Sequence, residues 1–438
     1  MENLSKKIQK REAKIAVIGL GYVGLPVACM FASRGFNVVG LDIKEERVEA
    51  INRKENPIEG DEPGLDELIE KVVGQSMLTA TTDYAQLMDR DIVLIDVETP
   101  VDEHNIPKYH ALKSACTSLA KVMKKGTLVI VESTIAPGTI RDVVLPILKQ
   151  EYKGEINKDY FVGACPERVM PGRLLNNLRH MSRVCGGSTP VTAEVMKELY
   201  ATFVEADLDL SDPITAEIVK TTENSYRDVQ IAFANEVALI CEANGADVWK
   251  VRDLVNKSPQ RNMHLPGAGV GGHCIPKDPW LLAYSVHNLG VGLKIIPAAR
   301  SVNDSMPQHI ANVSEELLSR AKMGISDSKV LIMGYSYLEN SDDTRNSPSE
   351  TLSRTLELKG ADVSIHDPWV EDYKGDVYEK AQGCDLVIFM VRHKEYYNLD
   401  LNRLKQVMRT ANLVDGRNVF DVSRLQGLGF NYYSLGRG

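Results

Sequence analysis

The sequence predicts an α/β protein with two doubly wound, Rossmann-like domains, joined by a long helix and a helical middle domain. Short runs rich in Val and Ile alternate with helical patterns before residue 209, which is typical of βαβ units. Apolar residues then recur at helical spacing for about thirty positions, and the βαβ alternation resumes near residue 329. We therefore expect an N-terminal domain over residues 1–208, a central domain over 209–323 and a C-terminal domain over 324–438.

The N-terminal domain has five strand candidates separated by helical patterns. Buried Val- and Ile-rich strands with helices between them favour a parallel sheet. The candidate strands cover residues 14–20, 37–42, 91–99, 127–134 and 159–167, and helical patterns cover 109–123 and 138–148.

The central segment opens at Asp212 and Pro213, where an acidic cap precedes a proline that fits the first helical turn. One helix from there to about Gly245 is predicted as a connector between domains, and helical patterns continue to about Met323. The third segment has strand candidates at 329–335, 361–367, 384–391 and 411–418.

Charge and composition argue against several classes of partner. A formal net charge of −9 disfavours a nucleic-acid binder. The uncharged run over 15–33 resembles a membrane segment, but three glycines and a proline divide it, and no other run is long enough to span a bilayer. Seven cysteines without a C-x-x-C pair or zinc spacing indicate free thiols and no metal site, so we expect a cytoplasmic protein without membrane contact.

A full G-x-G-x-x-G motif, from Gly19 to Gly24, follows the first strand candidate and opens a helix. Gly19 is predicted to make the tight turn, Gly21 to admit a pyrophosphate and Gly24 to let the helix pack closely. Asp42 ends the next strand and would accept hydrogen bonds from the adenosine ribose, which favours NAD over NADP. The alternative is a glycine-rich turn without a ligand. The third segment has only Gly334 in the equivalent turn, so we predict no second NAD there.

The most unusual stretch runs from Val270 to Pro279 and contains one cysteine, Cys274, after a series of glycines. Glycine-dense backbone lets a substrate approach a nucleophile closely, so a catalytic thiol is predicted. Taken alone, Cys274 would more often be a buried structural thiol.

These motifs, in this order, resemble the UDP-sugar 6-dehydrogenases, a family that includes UDP-glucose 6-dehydrogenase and enzymes acting on UDP-N-acetylhexosamines. The resemblance covers nearly the whole chain. It rests on the glycine motif, Glu132-Ser133-Thr134 with Pro137-Gly138, Cys165-Pro166-Glu167-Arg168-Val169, Ala216-Glu217 with Lys220 and Asn224, the Cys274 loop, and Asp342-Asp343-Thr344-Arg345.

The resemblance implies two successive NAD-dependent oxidations of the sugar C6 alcohol, with the intermediate held on Cys274. Lys220 and Asn224 would stabilise an oxyanion, and Asp278 would assist base catalysis and position the lysine. Glu167 and Thr134 would order the hydrolytic water. The implied cofactor residues are Gly19, Gly21, Tyr22, Val23, Gly24, Asp42, Arg47, Thr99 and Thr134, and the implied substrate residues are Glu167, Arg168, Val169, Lys220, Asn224, Arg261, Gly271 and Arg345.

The resemblance also implies a UDP-sugar substrate and, because Arg261 resembles an arginine that reaches the neighbouring subunit's site, a homodimer or higher homo-oligomer. Val270, His273 and Arg168 stand where enzymes for UDP-glucose usually carry Phe, Ser and Phe, which favours a UDP-N-acetylhexosamine with Arg168 and His273 as donors to its acetamido group. The alternative for these two residues is that His273 packs as a core residue and Arg168 pairs with a carboxylate. The alternatives are UDP-glucose 6-dehydrogenase, a two-electron dehydrogenase with the same cofactor domain, and a non-catalytic nucleotide-sugar-binding protein. Leu338, where the family usually has Lys, is the feature that favours the last.

Overall fold

The structure is a computed structural model, and it describes residues 1–58, 60 and 62–438. The chain forms two compact units, one of residues 1–223 with 280–291 and one of residues 224–279 with 292–438. Each unit contains one of the two expected sheets. The three domain boundaries drawn from the sequence stay a prediction.

The first unit is built on an eight-stranded sheet with the order β3-β2-β1-β4-β5-β6-β7-β8. The strands are parallel except where β6 meets β7, and the order of the first six is the doubly wound one expected for a dinucleotide fold. The strands are β1 Ile15–Ile18, β2 Val38–Leu41, β3 Leu78–Thr81, β4 Ile92–Ile95, β5 Thr127–Val131, β6 Tyr160–Ala164, β7 Arg183–Gly187 and β8 Leu208–Ser211.

Helices cover both faces of this sheet, and every residue of β1 and β4 is buried, which explains why these strands read as uninterrupted apolar runs. The helices that begin in this unit are α1 Glu2–Gln9, α2 Gly24–Ser33, α3 Glu45–Asn52, α4 Leu65–Gly74, α5 His110–Val122, α6 Leu145–Tyr152, α7 Leu174–His180, α8 Pro190–Tyr200 and α9 Pro213–Asn244.

The structure contains elements that the sequence pattern did not indicate. The strands β3, β7 and β8 lack a continuous apolar run: β3 alternates apolar residues with threonines, β7 begins with Arg183 and ends in two glycines, and β8 is exposed or half-buried at every position. The basic N-terminal segment forms helix α1, which buries Leu4 and Ile8 in the core of this unit. Within the described residues, the helices are all too short or too polar to cross a membrane.

Helix α9 is the connector predicted from Asp212 to Gly245, and from Asn224 onward it belongs to the second unit. There the buried Arg300 guanidinium donates to Asp228 at 2.6 Å, and Asn303 donates to the same carboxylate. Because removing one partner of a buried ion pair leaves an uncompensated charge, this contact fixes the pairing of α9 with the second long helix, α12. The other helices are α10 Val248–Val255, α11 Asp278–Tyr284 and α12 Ile295–Arg320.

The second sheet has five parallel strands in the order β10-β9-β11-β12-β13, again a doubly wound arrangement. The strands are β9 Lys329–Met333, β10 Asp362–His366, β11 Leu386–Phe389, β12 Asn412–Asp415 and β13 Asn431–Ser434, and the helices are α13 Pro348–Leu358, α14 Val377–Lys380, α15 Leu401–Val407 and α16 Val422–Gly427. Strand β13 was not predicted, because Asn431 to Ser434 is polar and half-buried. The predicted fold class is confirmed.

Candidate active site

The glycine motif forms a turn between β1 and α2. Gly19 has a φ of 94°, and a Cβ on it would lie 2.4 Å from the Asp96 carbonyl oxygen. A Cβ on Gly24 would lie 1.9 Å from the Gly19 carbonyl oxygen, whereas one on Gly21 would meet no atom within 4 Å. Two of the glycines are therefore required by packing. The third leaves open space at the start of a helix, where a pyrophosphate is held in dinucleotide folds.

Asp42 follows β2 and its carboxylate is almost completely buried beside this turn. It accepts hydrogen bonds from the backbone N–H of Leu20 at 2.8 Å and of Lys44 at 2.9 Å. The Arg47 guanidinium donates to it at 3.0 Å. The structure thus brings together the predicted cofactor residues Asp42 and Arg47 at the carboxyl end of β2, so the turn and its acidic residue fit an NAD.

Thr99 and Thr134 meet at the carboxyl ends of β4 and β5. The Thr99 hydroxyl donates to the Thr134 carbonyl oxygen at 2.6 Å, and the Ser133 hydroxyl donates to the Val97 carbonyl oxygen at 2.7 Å. Ligands of open parallel sheets bind outside this edge. The threonines predicted for the cofactor and for water are therefore neighbours at the expected edge.

Two buried carboxyl groups at the same edge were missed by the sequence reasoning. The Glu132 carboxylate accepts hydrogen bonds from Arg183 at 3.0 Å and from the Tyr200 hydroxyl at 2.6 Å. Burial and the neighbouring Glu132 raise the pKa of Asp96 well above its ordinary value. Glu132 belongs to one of the motifs that carry the resemblance, but no role was predicted for it. The feature that could have indicated Asp96 was its position directly after β4.

The loop after β6 carries three predicted substrate residues. The Glu167 carboxylate folds back to accept the Val169 backbone N–H at 2.5 Å. The Arg168 guanidinium donates to Glu223 through Nε at 3.0 Å and to the Ser182 carbonyl through Nη1 at 2.6 Å. Arg168 is thus paired with a carboxylate, which was the alternative to its role as an acetamide donor.

Helix α9 contributes Glu217 and Lys220 to the first unit, and both are buried. Glu217 accepts the backbone N–H groups of Gly138 at 2.6 Å and Ile140 at 2.9 Å, so it fixes the turn after β5 that includes Pro137 and Gly138. Burial raises the pKa of Glu217 to about 7. Lys220 lies one helical turn after Glu217 and one turn before Asn224.

In the second unit, Cys274 lies in a tight turn. Its carbonyl oxygen accepts the backbone N–H of Lys277 at 3.1 Å and of Asp278 at 2.8 Å. All seven cysteines are within the part of the chain that the structure describes, and Cys274 alone is exposed while the other six are buried. The nucleophile assigned from the sequence is therefore the accessible thiol, and the buried six act as small apolar side chains.

Asp278 begins helix α11 and is fully buried. Asn224 Nδ2 donates to its Oδ2 at 2.5 Å, and the Lys277 ammonium lies 3.4 Å from its Oδ1. Two of the predicted catalytic residues, Asn224 and Asp278, are thus in direct contact, although the expected partner of Asp278 was Lys220. No role was predicted for Lys277, although its position between Cys274 and Asp278 could have indicated one.

The Cys274 loop packs against the segment that follows β9. The Gly272 N–H donates to the Arg345 carbonyl oxygen at 2.8 Å, and a Cβ on Gly271 would lie 2.5 Å from Tyr337 Cβ. The Arg345 guanidinium is held by Asp343, with Nε 2.9 Å from Oδ1, and is close enough to Cys274 to interact electrostatically. Gly271 and Arg345, both predicted substrate residues, thus lie near the Cys274 turn.

His273 and Arg261 complete the assigned set in the second unit. Burial, together with the nearby Lys277 and Arg345 charges, lowers the pKa of His273 to about 4, so the imidazole is neutral at pH 7. Arg261 is exposed, and its Nη1 is 3.4 Å from the Pro259 carbonyl oxygen. Among the described residues no group of His, Cys, Asp or Glu is arranged to hold a metal ion.

Comparison with known proteins identifies the family. Residues 13–204 match the NAD binding domain of the UDP-glucose/GDP-mannose dehydrogenase family, residues 214–305 its central domain and residues 331–422 its UDP binding domain. The chain is 36% identical to UDP-N-acetyl-D-mannosamine dehydrogenase of Pyrococcus horikoshii over 97% of this chain and 99% of that protein.

Solved structures agree with this result. The UDP-D-ManNAc dehydrogenase structure from Pyrococcus horikoshii has a TM-score of 0.91 at 36% identity, covering 97% of this chain and 99% of that one. NDP-N-acetyl-D-galactosaminuronic acid dehydrogenase of Methanosarcina mazei Go1 has a TM-score of 0.88 at 35% identity, covering 100% and 98%. A UDP-glucose dehydrogenase of Pyrobaculum islandicum has a TM-score of 0.85 at 26% identity, covering 97% and 98%. The chain therefore belongs to the UDP-glucose/GDP-mannose dehydrogenase family of NAD-dependent oxidoreductases.

Proposed function

We propose that this enzyme oxidises the C6 alcohol of a UDP-N-acetylhexosamine to the uronate in two NAD-dependent steps, with the intermediate held covalently on Cys274. The observation that carries the proposal is the exposed thiol of Cys274, fixed in a turn next to the buried Asp278 and its hydrogen-bond partner Asn224. NAD, when bound, accepts the hydride that leaves C6 in each oxidation.

The residues of the chain supply the rest of the chemistry. The Cys274 sulfur adds to the C6 aldehyde, giving a thiohemiacetal, and the second oxidation turns this into a thioester. Water then attacks the thioester carbonyl, releasing the acid and the thiol. In this proposal Asp278, held by Asn224 and Lys277, assists the movement of the alcohol proton, and Lys220 and Asn224 stabilise negative charge on the C6 oxygen.

Stoichiometry tests the covalent step. We expect two NADH for each uronate formed, without free aldehyde. Cys274→Ala should lower acid formation at least about 1,000-fold while leaving NAD binding unchanged, because the glycine turn is not altered. Cys384→Ala, which removes a buried thiol in the second unit, is the matched control and should keep the ratio of two. One NADH per sugar with free aldehyde accumulating would rule the mechanism out.

The preference for an N-acetylhexosamine is supported by the Cys274 loop. Val270 leaves volume where a phenylalanine would fill it, and the neutral His273 imidazole can hydrogen-bond to an amide. A buried amide without a partner costs about 1–3 kcal/mol, so one such contact discriminates substrates about tenfold. Relatives named for N-acetylhexosamine derivatives at 34–37% identity favour the same choice.

UDP-glucose is the second candidate, favoured by the 26% identical UDP-glucose dehydrogenase with a TM-score of 0.85. A non-catalytic nucleotide-sugar-binding protein is disfavoured, because the accessible Cys274 and the Asn224–Asp278 contact would have no purpose there. The cytoplasmic location stays a prediction.

We also propose a homodimer formed through helix α9. Its second-unit portion exposes Tyr226, Phe233 and Ile240 by 63%, 58% and 56%, and these lie seven residues apart, the spacing of a helix–helix seam. Arg261 is exposed and precedes the Cys274 loop in the sequence. In such a dimer it would reach the neighbouring subunit. Phe233→Glu should convert the dimer to a monomer in light scattering, whereas a monomeric wild type would overturn the proposal.

A further inference from the structure

The buried carboxylate of Glu62 connects two loops that the reaction needs. Glu62 is 8% exposed and lies between α3 and α4. Its Oε1 accepts the hydroxyl of Tyr22, which belongs to the glycine turn. The same oxygen accepts the Gly172 backbone N–H at 2.8 Å, and Oε2 accepts the Leu174 backbone N–H at 3.1 Å.

The second of these loops, residues 167–173, carries the predicted substrate residues. It ends at Leu174, the first residue of α7, whose N–H would otherwise lack a partner because the helix has no side-chain cap of its own. Gly172, with a φ of 73°, turns the backbone so that its N–H also faces Glu62. Asn177 holds the middle of the loop by accepting the Met170 N–H at 3.0 Å. The far end of the loop therefore depends on Glu62.

We propose that Glu62 is a positioning residue that couples occupancy of the glycine turn to the geometry of the loop carrying Glu167, Arg168 and Val169. The inference rests on the proposed function, since it assumes that this loop meets the UDP-sugar. A dinucleotide at the turn restricts Tyr22, and the Tyr22 hydroxyl shares one carboxylate oxygen with Gly172. Cofactor binding thereby makes the loop more ordered, and the sugar nucleotide binds more tightly as a result.

The test is a coupling measurement with NADH, which occupies the cofactor site but cannot accept a hydride. Titration calorimetry gives the dissociation constant of UDP-N-acetylmannosamine with and without saturating NADH. In the wild type we expect NADH to tighten sugar binding at least about fivefold. In Glu62→Gln one of the two acceptor oxygens becomes an NH2 donor, so the side chain can no longer accept from both Gly172 and Leu174, and the ratio should fall to about one.

Two further variants separate coupling from folding. Tyr22→Phe removes only the hydroxyl and should also bring the ratio to about one, with both backbone contacts of Glu62 kept. Glu67→Gln, an exposed acid on α4, is the matched control and should behave as the wild type. If the role of Glu62 were purely structural, Glu62→Gln would lower the melting temperature but leave the coupling ratio as in the wild type.

The outcomes distinguish the two proposals. If the wild type oxidises UDP-sugars but has the same coupling ratio as Glu62→Gln and Tyr22→Phe, the proposed role of Glu62 is overturned and the proposed function is not. A wild-type ratio of one overturns it as well. A wild type that neither binds nor oxidises any UDP-sugar contradicts the proposed function, and the role of Glu62 with it.

Discussion

The turns after β1 and β9 have the same backbone conformation at their first residue. Gly19 and Gly334 both have a φ of 94°. A Cβ on Gly19 would lie 2.4 Å from the Asp96 carbonyl oxygen, and a Cβ on Gly334 would lie 2.4 Å from Val391 Cβ. In each sheet the chain leaves the first strand so tightly that only glycine fits, whether or not a ligand binds there.

The turns differ at the positions that follow. Two residues after Gly19, Gly21 has open space above it, whereas two residues after Gly334 the chain has the buried Ser336. The Ser336 hydroxyl donates to the Leu338 carbonyl at 2.8 Å and lies 3.3 Å from the His393 imidazole. The second turn is thus filled by its own side chains, so the middle glycine, and not the first, distinguishes a dinucleotide site from a structural turn.

The acidic residues after β2 and β10 differ in the same way. Asp42 and Asp367 both accept backbone N–H groups from their turns. Asp367 also contacts His393 at 3.1 Å, both side chains being fully buried, whereas Asp42 pairs with the half-exposed Arg47. A long loop then separates β9 from α13, and part of it receives the Cys274 loop. The segment after the second turn therefore supports the loop that carries Cys274.

Among the substitutions that test this comparison of the two turns, the largest effect is expected for Gly21→Val. Its methyl groups would occupy the space above the first turn, so the dissociation constant of NAD should rise about 100-fold or more, about 2.7 kcal/mol, with little change in melting temperature. Titration calorimetry with NAD measures this directly. Ser336→Ala, at the equivalent position of the second turn, is the control and should leave NAD binding as in the wild type. Equal NAD affinities for Gly21→Val and the wild type would mean that the first turn is not the cofactor site.

Sequence reasoning found the first turn more easily than the buried groups behind it. The glycines and Asp42 are set by local backbone geometry, which a short motif records. The sheet and helix α9 could also be predicted from the sequence, because the spacing of apolar residues reflects which side chains are buried. Asp96 and Glu62 were missed, since their roles come from contacts with residues distant in sequence, such as Glu62 with Leu174. That Glu223 is the carboxylate paired with Arg168 could not be foreseen for the same reason. Lys277 was missed although it is adjacent in sequence to Asp278.

A smaller effect is expected for Asp42→Ala, which sharpens the contrast between Asp42 and Asp367. The wild type should prefer NAD, because the Asp42 carboxylate repels a 2′-phosphate and accepts the ribose hydroxyls. The substitution also frees Arg47 from its ion pair at 3.0 Å, and an arginine there can hold a 2′-phosphate. The ratio of kcat/KM for NAD over NADP should therefore fall about tenfold or more. Equal values for the two cofactors in the wild type would show that Asp42 is misassigned.

The smallest effect concerns pH. Burial raises the pKa of Glu217 to about 7, so its contribution to stability is complete below the unfolded pKa of about 4.3 and is lost as pH rises through 7. Glu217→Gln lacks one of the two acceptors and should be about 1 kcal/mol less stable than the wild type at pH 5. This difference should shrink towards pH 8 in urea unfolding experiments.

Asp367→Asn should show the opposite trend. Although burial opposes it, the hydrogen bond with His393 holds the pKa of Asp367 well below its usual range. Its contribution is therefore present above the unfolded pKa of about 3.9 and is lost as pH falls further. The cost of Asp367→Asn should be larger at pH 7 than at pH 3. Parallel pH profiles for the two variants would contradict this assignment of the two carboxylates.

The measurement that tests the central claim most directly is NADH formation with a panel of UDP-sugars. UDP-GlcNAc, UDP-ManNAc, UDP-GalNAc and UDP-glucose would be compared by kcat/KM at saturating NAD. We expect one of the three N-acetylhexosamine substrates to exceed UDP-glucose about tenfold or more, with two NADH for each acid. UDP-glucose exceeding all three would contradict the substrate assignment, and no NADH with any of the four would contradict the proposed function.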